Sequence, residues 1–275
     1  MGEPIEHVIE ASNARLFNWK ELWLYRELFY FFTWRDIKIK YKQTVLGFLW
    51  AVIQPLLMMA IFTFFFGKTL NIPSQNVPYP VYVLSGLLIW QMFSSGLTSA
   101  ANSMVNNATI IKKIYFPRLI IPVSSILVAL FDFFIAWILF LMILVFYQQP
   151  LSATALIAWP GAVLIAIVAT LGPGSWLAAL NVKYRDFRYV IPFLVQVLFF
   201  LTPIIYPVSL VKYSVLKYLL ACSPIYAAVE VFRYPIIGEF TDVSLVMISL
   251  VAGLVFLITG IFYFKRTEDF FADLA

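Results

Sequence analysis

The feature that most constrains this chain is a series of long apolar runs that contain almost no charge. Residues 46–66 are 21 consecutive residues without a charged side chain, and residues 119–147 are 29 residues in which Asp132 is the only charge. A helix of about 20 apolar residues, rising about 1.5 Å per residue, crosses a hydrocarbon core of about 30 Å. Membrane-spanning strands need only about 10 residues and alternate in polarity. The runs therefore predict an all-α integral membrane protein.

Composition restricts the chemistry of the chain. Charged residues make up 12% of it, against about a quarter in soluble domains. His7 is the only histidine and Cys222 the only cysteine, so there is no basis for an intrachain disulfide, a thiolate metal cluster or a Ser-His-Asp triad. We therefore expect no catalytic residue, no metal and no cofactor in this chain.

Six apolar runs predict six transmembrane helices, at residues 46–66, 81–101, 119–147, 156–182, 189–206 and 245–264. Residues 218–229 are uncharged but too few to cross, and they predict a re-entrant segment before the last span. Six spans place both termini in the cytosol together with 15 of the 19 Lys and Arg residues, as the positive-inside rule requires. The predicted parts are a cytosolic tail with an interfacial helix at 1–45, a six-span domain at 46–264 and a cytosolic tail at 265–275.

The segment before the first span predicts an amphipathic helix at the membrane interface. Eight of the sixteen residues at 19–34 are Trp, Tyr or Phe, with charged residues between them. Such a segment is too charged to span and suits the headgroup region, where aromatic rings concentrate. A cytosolic helix packed on a partner is the alternative. Lys38, Lys40 and Lys42 follow as a basic collar, which indicates the inner leaflet.

Two short basic loops lie on the predicted cytosolic side. The first, residues 102–118, joins the second and third spans, and its predicted helix from Val105 to Tyr115 ends because Pro117 disfavours helix at Phe116. The second, residues 183–188, joins the fourth and fifth spans. Charge alone predicts that both loops only set the topology. The alternative is that the first loop is a lever, because a cytosolic contact on so short a loop would push on both spans.

Three features in or near the membrane have two interpretations each. Asp132 lies near the middle of its span and faces protein or water there, as a functional group or as a packing group. Gly172-Pro-Gly174 predicts a kink or a local unwinding of the fourth span. Glu230 and Arg233, three residues apart, predict an exposed ion pair of little value, and a gate-forming pair is the alternative.

The first basic loop also carries a family resemblance. The run Ile110–Pro122, with Lys112, Lys113 and Phe116-Pro-Arg118, resembles the loop between the second and third spans of polysaccharide permeases in the ABC type 2 exporter family. Residues 32–55 and the run 184–186 are similar to that family as well. The likeness extends over nearly the whole chain and is greatest to exporters of lipid-linked polysaccharide, in the O-antigen and teichoic-acid group.

The resemblance implies an assembly in the inner (cytoplasmic) membrane. Exporters of this group consist of two permease and two ATPase chains, with ATP and Mg on the ATPase. The implied partners are thus that ATPase, a second copy of this chain, a lipid-linked polysaccharide and membrane lipids, and no nucleic acid. This chain has no phosphate-binding loop, because Gly67-Lys-Thr69 lacks the earlier glycine at Phe62. We therefore expect a non-catalytic, multi-pass transporter subunit.

The same resemblance implies three sets of site residues. Contact with the ATPase is expected at Asn106, Ile110, Lys112, Lys113, Tyr115, Arg118, Lys183, Tyr184, Arg185, Asp186 and Arg188. A channel lining, in which rings stack on sugars, is expected at Trp50, Phe62, Phe65, Trp90, Phe93, Asp132, Phe199 and Tyr206; lipid-facing rings are the alternative. Entrance of a lipid pyrophosphate is expected at Trp34, Arg35, Lys38, Lys40 and Lys42.

Other functions remain as alternatives. An ABC type 2 exporter of a drug or small lipid would share the topology. An ion-coupled secondary transporter would use Asp132, but the chain offers few other intramembrane polar groups and no evident inverted repeat. A membrane-embedded enzyme for lipid-linked sugars would need a convergent set of carboxylates, His or Arg near one interface, which the sequence lacks.

Overall fold

The computed structural model describes residues 23–42, 47–75, 77–184, 186–240, 242–268 and 271. All regular structure in these ranges is helical, so the all-α prediction is confirmed for them. The helices are α1 (Arg26–Lys42), α2 (Leu49–Phe62, continued by a π-helix at Thr63–Thr69), α3 (Tyr79–Asn106), α4 (Ala108–Ile111), α5 (Ile120–Phe146), α6 (Ala155–Lys183), α7 (Phe187–Leu201), α8 (Ser214–Ala221), α9 (Tyr226–Ile237) and α10 (Val243–Thr267).

Five helices within the described ranges are long and apolar enough to cross a membrane. They are α2 with its π-helical end, α3, α5, α6 and α10. The bent pair of α8 and α9, with an angle of 99° between them, makes a sixth candidate if it counts as one span. α7 has 15 residues, about 22 Å of helix, and lies where the fifth span is predicted. The six-span topology and its orientation stay predictions.

Several helix ends meet at one end of the bundle, which we call the basic end. The side-chain amide of Asn181 in α6 donates hydrogen bonds of 3.0 Å to the Ala101 carbonyl and to the Asn102 side chain in α3. The backbone N–H of Arg118, just before α5, donates a 3.1 Å hydrogen bond to the Glu268 carboxylate after α10. A buried apolar cluster joins these ends to α1, and its members are Phe32, Met104, Ile111, Phe116, Leu119, Ile120, Ile121, Ala178, Ala179, Val182, Phe264 and Phe271.

The V formed by α8 and α9 lies at the opposite end. The carbonyl of Pro235 in α9 accepts a 3.1 Å hydrogen bond from the N–H of Ser152, in the loop between α5 and α6. The tip of the V carries Pro224, and a Cβ at Gly253 of α10 would lie 3.9 Å from that proline. Since Gly253 is ten residues past the first residue of α10, the tip reaches about 15 Å along that helix, about half of a hydrocarbon core.

α3 is the central helix of the bundle. Its residues 81–90 are all buried, and it packs against α2, α5, α6, α7 and α9. Small residues bring the helices together, since a Cβ at Gly174 of α6 would lie 3.0 Å from the Cβ of Ala100. α2 differs, because only 6% of its most apolar stretch is buried within the chain. α3 is therefore held by protein on most sides, whereas α2 presents its surface to the outside.

α6 and α10 approach each other closely, backbone to backbone. A Cβ at Gly172 would lie 2.5 Å from backbone atoms of Phe256 and Leu257, and a Cβ at Gly260 would collide with the Gly172 carbonyl. Glycine permits this backbone contact because it has no side chain. α6 is helical without interruption through Pro173, so the predicted local unwinding is wrong, and the glycines there serve packing instead.

Two predicted helix boundaries are also wrong, for backbone reasons. The helix predicted at 105–115 is interrupted at Asn107, whose φ of −108° and ψ of 17° are not helical. The fifth span predicted at 189–206 ends as a helix at Leu201. Pro203 follows and disfavours helix in the residue before it.

Candidate functional site

The first basic loop forms an exposed surface at the basic end. Ile111 and Phe116 are buried in the apolar cluster, whereas residues 112–115 between them are exposed. Asn106 and Ile110, which begin the loop, are exposed and half-buried respectively. The loop is thus anchored at both ends and presents its two lysines outward. A contact on those lysines would act on α3 and α5 together.

The second basic loop lies at the same end. Asn181 connects the last turn of α6 to α3, and the residues that follow it are exposed at Lys183, Tyr184, Asp186 and Arg188. Arg185 lies outside the described residues. Arg118 is half-buried, with its guanidinium carbon 6.0 Å from the centre of the Phe271 ring. The two predicted ATPase-contact loops therefore share one end of the molecule.

α1 packs along α5 and has two different faces. On the inner face the ring centres of Phe32 and Phe116 are 5.6 Å apart, and Arg35 donates a 2.7 Å hydrogen bond to the Asn107 side chain. The outer face carries exposed residues at a spacing of four, which are Tyr30, Trp34, Lys38 and Lys42. The ammonium of Lys38 lies 5.2 Å from the Trp34 ring. Rings followed by cations form a stripe that suits a headgroup layer.

Lys40 and Tyr41 connect the end of α1 to Asp132 in the middle of α5. The Lys40 ammonium forms an ion pair with the Asp132 carboxylate, and the Tyr41 hydroxyl donates a hydrogen bond to the other carboxylate oxygen. Burial and then the hydrogen bond to Asp132 raise the pKa of the Tyr41 hydroxyl, so that it stays a neutral donor. The Asp132 side chain is 14% exposed, and Lys40 balances its charge. Lys40, which is exposed like Lys38 and Lys42, differs from them in pairing with a carboxylate.

A groove with several polar side chains in a mostly apolar wall lies between α1, α2, α3 and α5, and we name it the α3 groove. Its larger part has a volume of about 840 Å³, and an adjoining part of about 690 Å³ lies toward the basic end. Both parts are lined by Lys40, Ser95 and Ser99. The polar walls of the larger part include Gln54, Gln91, Ser94, Ser95, Thr98, Ser99 and Asp132. Polar side chains at membrane depth face protein or water and not lipid.

The polar face of α3 was not predicted as a site. Its residues recur at intervals of three and four, at Gln91, Ser94, Ser95, Thr98 and Ser99. This spacing places them on one face of a helix. The signal is present in the sequence, but hydropathy sums over all faces of a helix, so an apolar majority conceals one polar face. Periodicity within the second predicted span could have found the groove.

Four of the predicted channel rings meet where α2, α3 and α7 pack together. The Phe199 ring centre lies 5.9 Å from that of Phe62 and 5.4 Å from that of Trp90. Trp90 in turn lies 5.5 Å from Phe93. Trp90 and Phe93 are buried within this chain, whereas Phe62 and Phe199 are half-buried. We call this group the ring cluster.

The other predicted channel rings lie apart from the ring cluster. Trp50 lines the α3 groove and is 55% exposed. Phe65 is exposed on the π-helix. Tyr206 is half-buried in the loop after α7, where its hydroxyl donates a 3.2 Å hydrogen bond to the Phe200 carbonyl. A channel-lining role for any of these residues stays a prediction.

Arg233 of α9 is buried, so the predicted exposed ion pair with Glu230 is wrong. Its guanidinium donates hydrogen bonds to the carbonyls of Tyr82 (3.3 Å), Pro203 (2.9 Å) and Ile204 (2.6 Å) and to the hydroxyls of Tyr82 (3.0 Å) and Ser85 (3.3 Å). Glu230 is buried too, with a carboxylate oxygen 4.0 Å from the guanidinium. A Cβ at Gly86 would collide with that guanidinium. Arg233 therefore joins α3, α9 and the loop after α7.

Comparison with known proteins identifies relatives over most of the chain. Residues 27–237 match the ABC-2 type transporter family. The O-antigen export system permease protein RfbA of Klebsiella pneumoniae is 26% identical over 242 residues, 87% of this chain and 92% of that protein. RfbA of Myxococcus xanthus is 31% identical over 207 residues, 74% of this chain and 78% of that protein. The polysialic acid transport protein KpsM of Escherichia coli is 23% identical over 245 residues, 86% of this chain and 91% of that protein.

The family match includes the first basic loop, the α3 groove and Arg233. It confirms the family resemblance that the first basic loop indicates. The permease relatives are transport subunits and not enzymes, which confirms a non-catalytic transmembrane component. This chain belongs to the ABC-2 type transporter family, as a multi-pass membrane permease.

Proposed function

We propose that this chain is the transmembrane subunit of an ATP-driven exporter that moves a lipid-linked polysaccharide out across the inner (cytoplasmic) membrane. Similarity to an O-antigen export permease over 87% of the chain carries the proposal. A polysialic acid transport protein is a second relative that handles a polysaccharide. In this proposal a separate ATP-binding-cassette ATPase, in two copies, supplies the energy, and two copies of this chain form the channel.

The helix arrangement supports six spans with both termini in the cytosol. α6 and α10 both end at the basic end, so the chain between them must reach the opposite end, and α7 makes that passage. α8 and α9 then form a V whose tip at Pro224 lies beside Gly253, as a re-entrant segment would. The positive-inside rule assigns the basic end to the cytosol. α1 and the end of α10 both lie there, next to the first basic loop.

The two exposed basic loops are the proposed contacts with the ATPase. When the ATPase closes on ATP, it would displace residues 112–115 of the first loop. Ile111 and Phe116 are buried on either side of them, and would pass this displacement to α3 and α5. The second loop, which follows α6 and precedes α7, would act on those two helices in the same way. Both effects change the width of a channel formed by the spans.

Charge reversal in the first loop tests this function. In membranes of the native host, Lys112→Glu with Lys113→Glu is expected to lower the amount of ATPase that copurifies by about tenfold. The two glutamates would face the groups on the ATPase that attract the lysines, and like charges across an interface repel. Export of surface polysaccharide should fall with it. The measurement is the ATPase yield per permease, together with the amount of polysaccharide at the cell surface.

The matched control reverses two lysines at the opposite end. Lys68→Glu with Lys212→Glu changes the same charge at exposed positions that follow α2 and α7. We expect it to leave the ATPase yield and export unchanged. If the wild-type chain purifies without an ATPase, or if both pairs of variants retain it equally, the proposed coupling is refuted.

The ring cluster is the proposed wall of the channel where two copies meet. Phe62 and Phe199 lie on α2 and α7, whose surfaces are largely exposed, while Trp90 and Phe93 support them from within the chain. Rings suit a polymer of sugars because they stack on apolar sugar faces without binding any one sugar tightly.

In the same export assay, Phe62→Ala with Phe199→Ala should lower export while the ATPase still copurifies. Unchanged export would remove the cluster from the channel.

The exposed stripe of α1 is the proposed entrance for the lipid anchor. A pyrophosphate needs cations that no carboxylate engages. Arg35 lies 2.7 Å from Asp36, and Lys40 pairs with Asp132. Lys38 and Lys42 are exposed on the other face of α1 and form no ion pair with the described residues. The phosphates are therefore assigned first to Lys38 and Lys42.

Reversal of these two lysines tests the entrance. Each basic residue near a charged membrane surface contributes about 1 kcal/mol, so Lys38→Glu with Lys42→Glu is expected to lower export by about tenfold or more. Membrane insertion and ATPase copurification should not change, because neither lysine lies at the basic loops. The Lys68→Glu with Lys212→Glu variant again serves as the control. Normal export by the reversed pair would exclude α1 as the entrance.

A further inference from the structure

The α3 groove contains polar side chains that bond to nothing in the described ranges. Five of those that line the larger cavity make no side-chain hydrogen bond there, namely Gln54, Gln91, Ser95, Thr98 and Ser99. Other hydroxyls of the bundle bond to the carbonyl four residues earlier, as in Ser124, Thr170, Thr202 and Thr267, and so does Ser125 in the smaller part of the groove. Such bonds are the usual way in which Ser and Thr are satisfied within membrane helices. The groove hydroxyls are thus available to a ligand.

The unpaired polar side chains of the groove need water or a polar molecule as a partner. A polar group that is unpaired at membrane depth costs several kcal/mol, and the groove has five such side chains along two helices. Its larger part, with a volume of about 840 Å³, lies in the range of about 300–1,000 Å³ that is typical of ligand sites. The groove therefore has both the size and the hydrogen-bonding capacity of a binding site.

The charges of the groove favour a neutral ligand. Two cations and two carboxylates line its two parts, and they are paired as Lys40 with Asp132 and Arg35 with Asp36. Their sum is zero, so a pyrophosphate would find no net positive charge. Trp50 adds a ring, 55% exposed, to the same wall. Amides, hydroxyls and one ring face match the hydroxyls and the apolar face of a sugar.

We propose that the α3 groove of each chain binds sugar units of the exported glycan. The inference rests on the proposed function, because it takes the exported polysaccharide as the ligand. It differs in placing a carbohydrate site inside one chain, separate from the ring cluster. Gln91, Ser95 and Ser99 donate to and accept from sugar hydroxyls, and Trp50 stacks on a sugar face. Lys40 lines both parts of the groove, and its partner Asp132 lines the larger part.

Cysteine labelling tests whether the groove is open to polar molecules. Cys222→Ala removes the only cysteine, and Ser99→Cys then places a thiol in the groove. Thr259→Cys, exposed on the outside of α10, is the matched control. Both variants are made in the complete permease–ATPase complex in lipid nanodiscs and treated with a charged methanethiosulfonate reagent. We expect Ser99→Cys to react about tenfold faster, because a charged reagent does not enter lipid.

Protection by a sugar tests the ligand. The probes are oligosaccharides released by mild acid from the surface polysaccharide of the host. At about twice their dissociation constant, mass action predicts labelling of Ser99→Cys that is about threefold slower. Inorganic pyrophosphate at the same concentration should leave the rate unchanged. Equal labelling of the two cysteines, no protection by oligosaccharides, or protection by pyrophosphate instead each overturns the proposal.

A filled groove separates this proposal from the function on which it rests. Ser95→Leu with Ser99→Leu removes two hydroxyls and occupies the cavity, and export is expected to fall by about tenfold while the ATPase still copurifies. Thr259→Leu is the control and should export normally. If the filled variant exports normally, the groove site fails and the exporter stands. If the wild-type complex has no ATPase or exports no polysaccharide, the exporter fails, and the protection result decides the groove site independently.

Discussion

Replacement of Arg233 with methionine is expected to lower the free energy of unfolding by about 3–5 kcal/mol, since it removes one partner from a buried charged network. The carbonyls of Pro203 and Ile204 lie outside any helix and accept hydrogen bonds of 2.9 and 2.6 Å from this guanidinium. Methionine occupies much of the volume but donates nothing, so these buried acceptors lose a donor. Glu230 also loses the cation that lies 4.0 Å away. Unfolding of the purified chain by titration with SDS measures the change.

Two companion variants isolate the effect of the buried network. Arg266→Met removes the same charge from an exposed position near the end of α10, and its effect should be within about 0.5 kcal/mol of zero. Arg233→Lys keeps the charge but loses the planar fork that reaches several acceptors at once, so its effect should be intermediate. Equal stability of Arg233→Met and Arg266→Met would show that the network contributes nothing. The network matters for the fold because it connects α9 to α3, the most buried of the five long apolar helices.

Addition of a single methyl group at Gly172 or at Gly260 is expected to destabilise the protein by about 1–3 kcal/mol or more, as overpacking does. The added atom of Gly172→Ala would lie 2.5 Å from backbone atoms of Phe256 and Leu257. Backbone cannot rotate away as a side chain does, so α6 and α10 must separate along their contact. The apparent unfolding free energy in SDS measures this effect, and size-exclusion chromatography shows how much folded protein remains.

Gly161→Ala is the control, because it adds the same methyl group to the same helix. A Cβ there meets no atom within 4 Å in the described part of the chain. Alanine is also the better helix former by about 0.5–1 kcal/mol, so this variant should be neutral or slightly stabilising. If Gly161→Ala lowered the unfolding free energy as much as Gly172→Ala, then helix propensity, and not the contact between α6 and α10, would set the result.

The helices were predictable because each depends on residues that are close together in the chain. The apolar run at 119–147 becomes α5, and the run at 156–182 becomes α6, with ends that differ by one residue. Membrane insertion depends on the summed apolarity of about 20 neighbouring residues, which a sequence displays directly. The family was also predictable, because the loop at 110–122 carries its signature in one continuous segment.

The site residues were harder to predict because their contacts join distant parts of the chain. Lys40 meets Asp132 across 92 residues, and Arg233 meets Ser85 across 148. From the sequence, Lys40 belonged to a basic collar and Arg233 to an exposed pair. The predictions for Phe62, Trp90, Phe93 and Phe199 were better, since these rings do gather in one cluster. Their spans pack side by side, which placed rings of similar depth together.

The sequence by itself determined that the chain is helical, that it lies in a membrane, and that it belongs to the ABC-2 type transporter family. These properties follow from local hydropathy and from short continuous segments of the sequence. Only the tertiary structure decided which polar groups are paired. In the folded chain, Lys40 and Arg233 are paired with acceptors that are distant in the sequence. The polar face of α3 lines a groove instead. The physical reason is that the cost of a polar group in a membrane depends on what surrounds it, and helix packing supplies those surroundings.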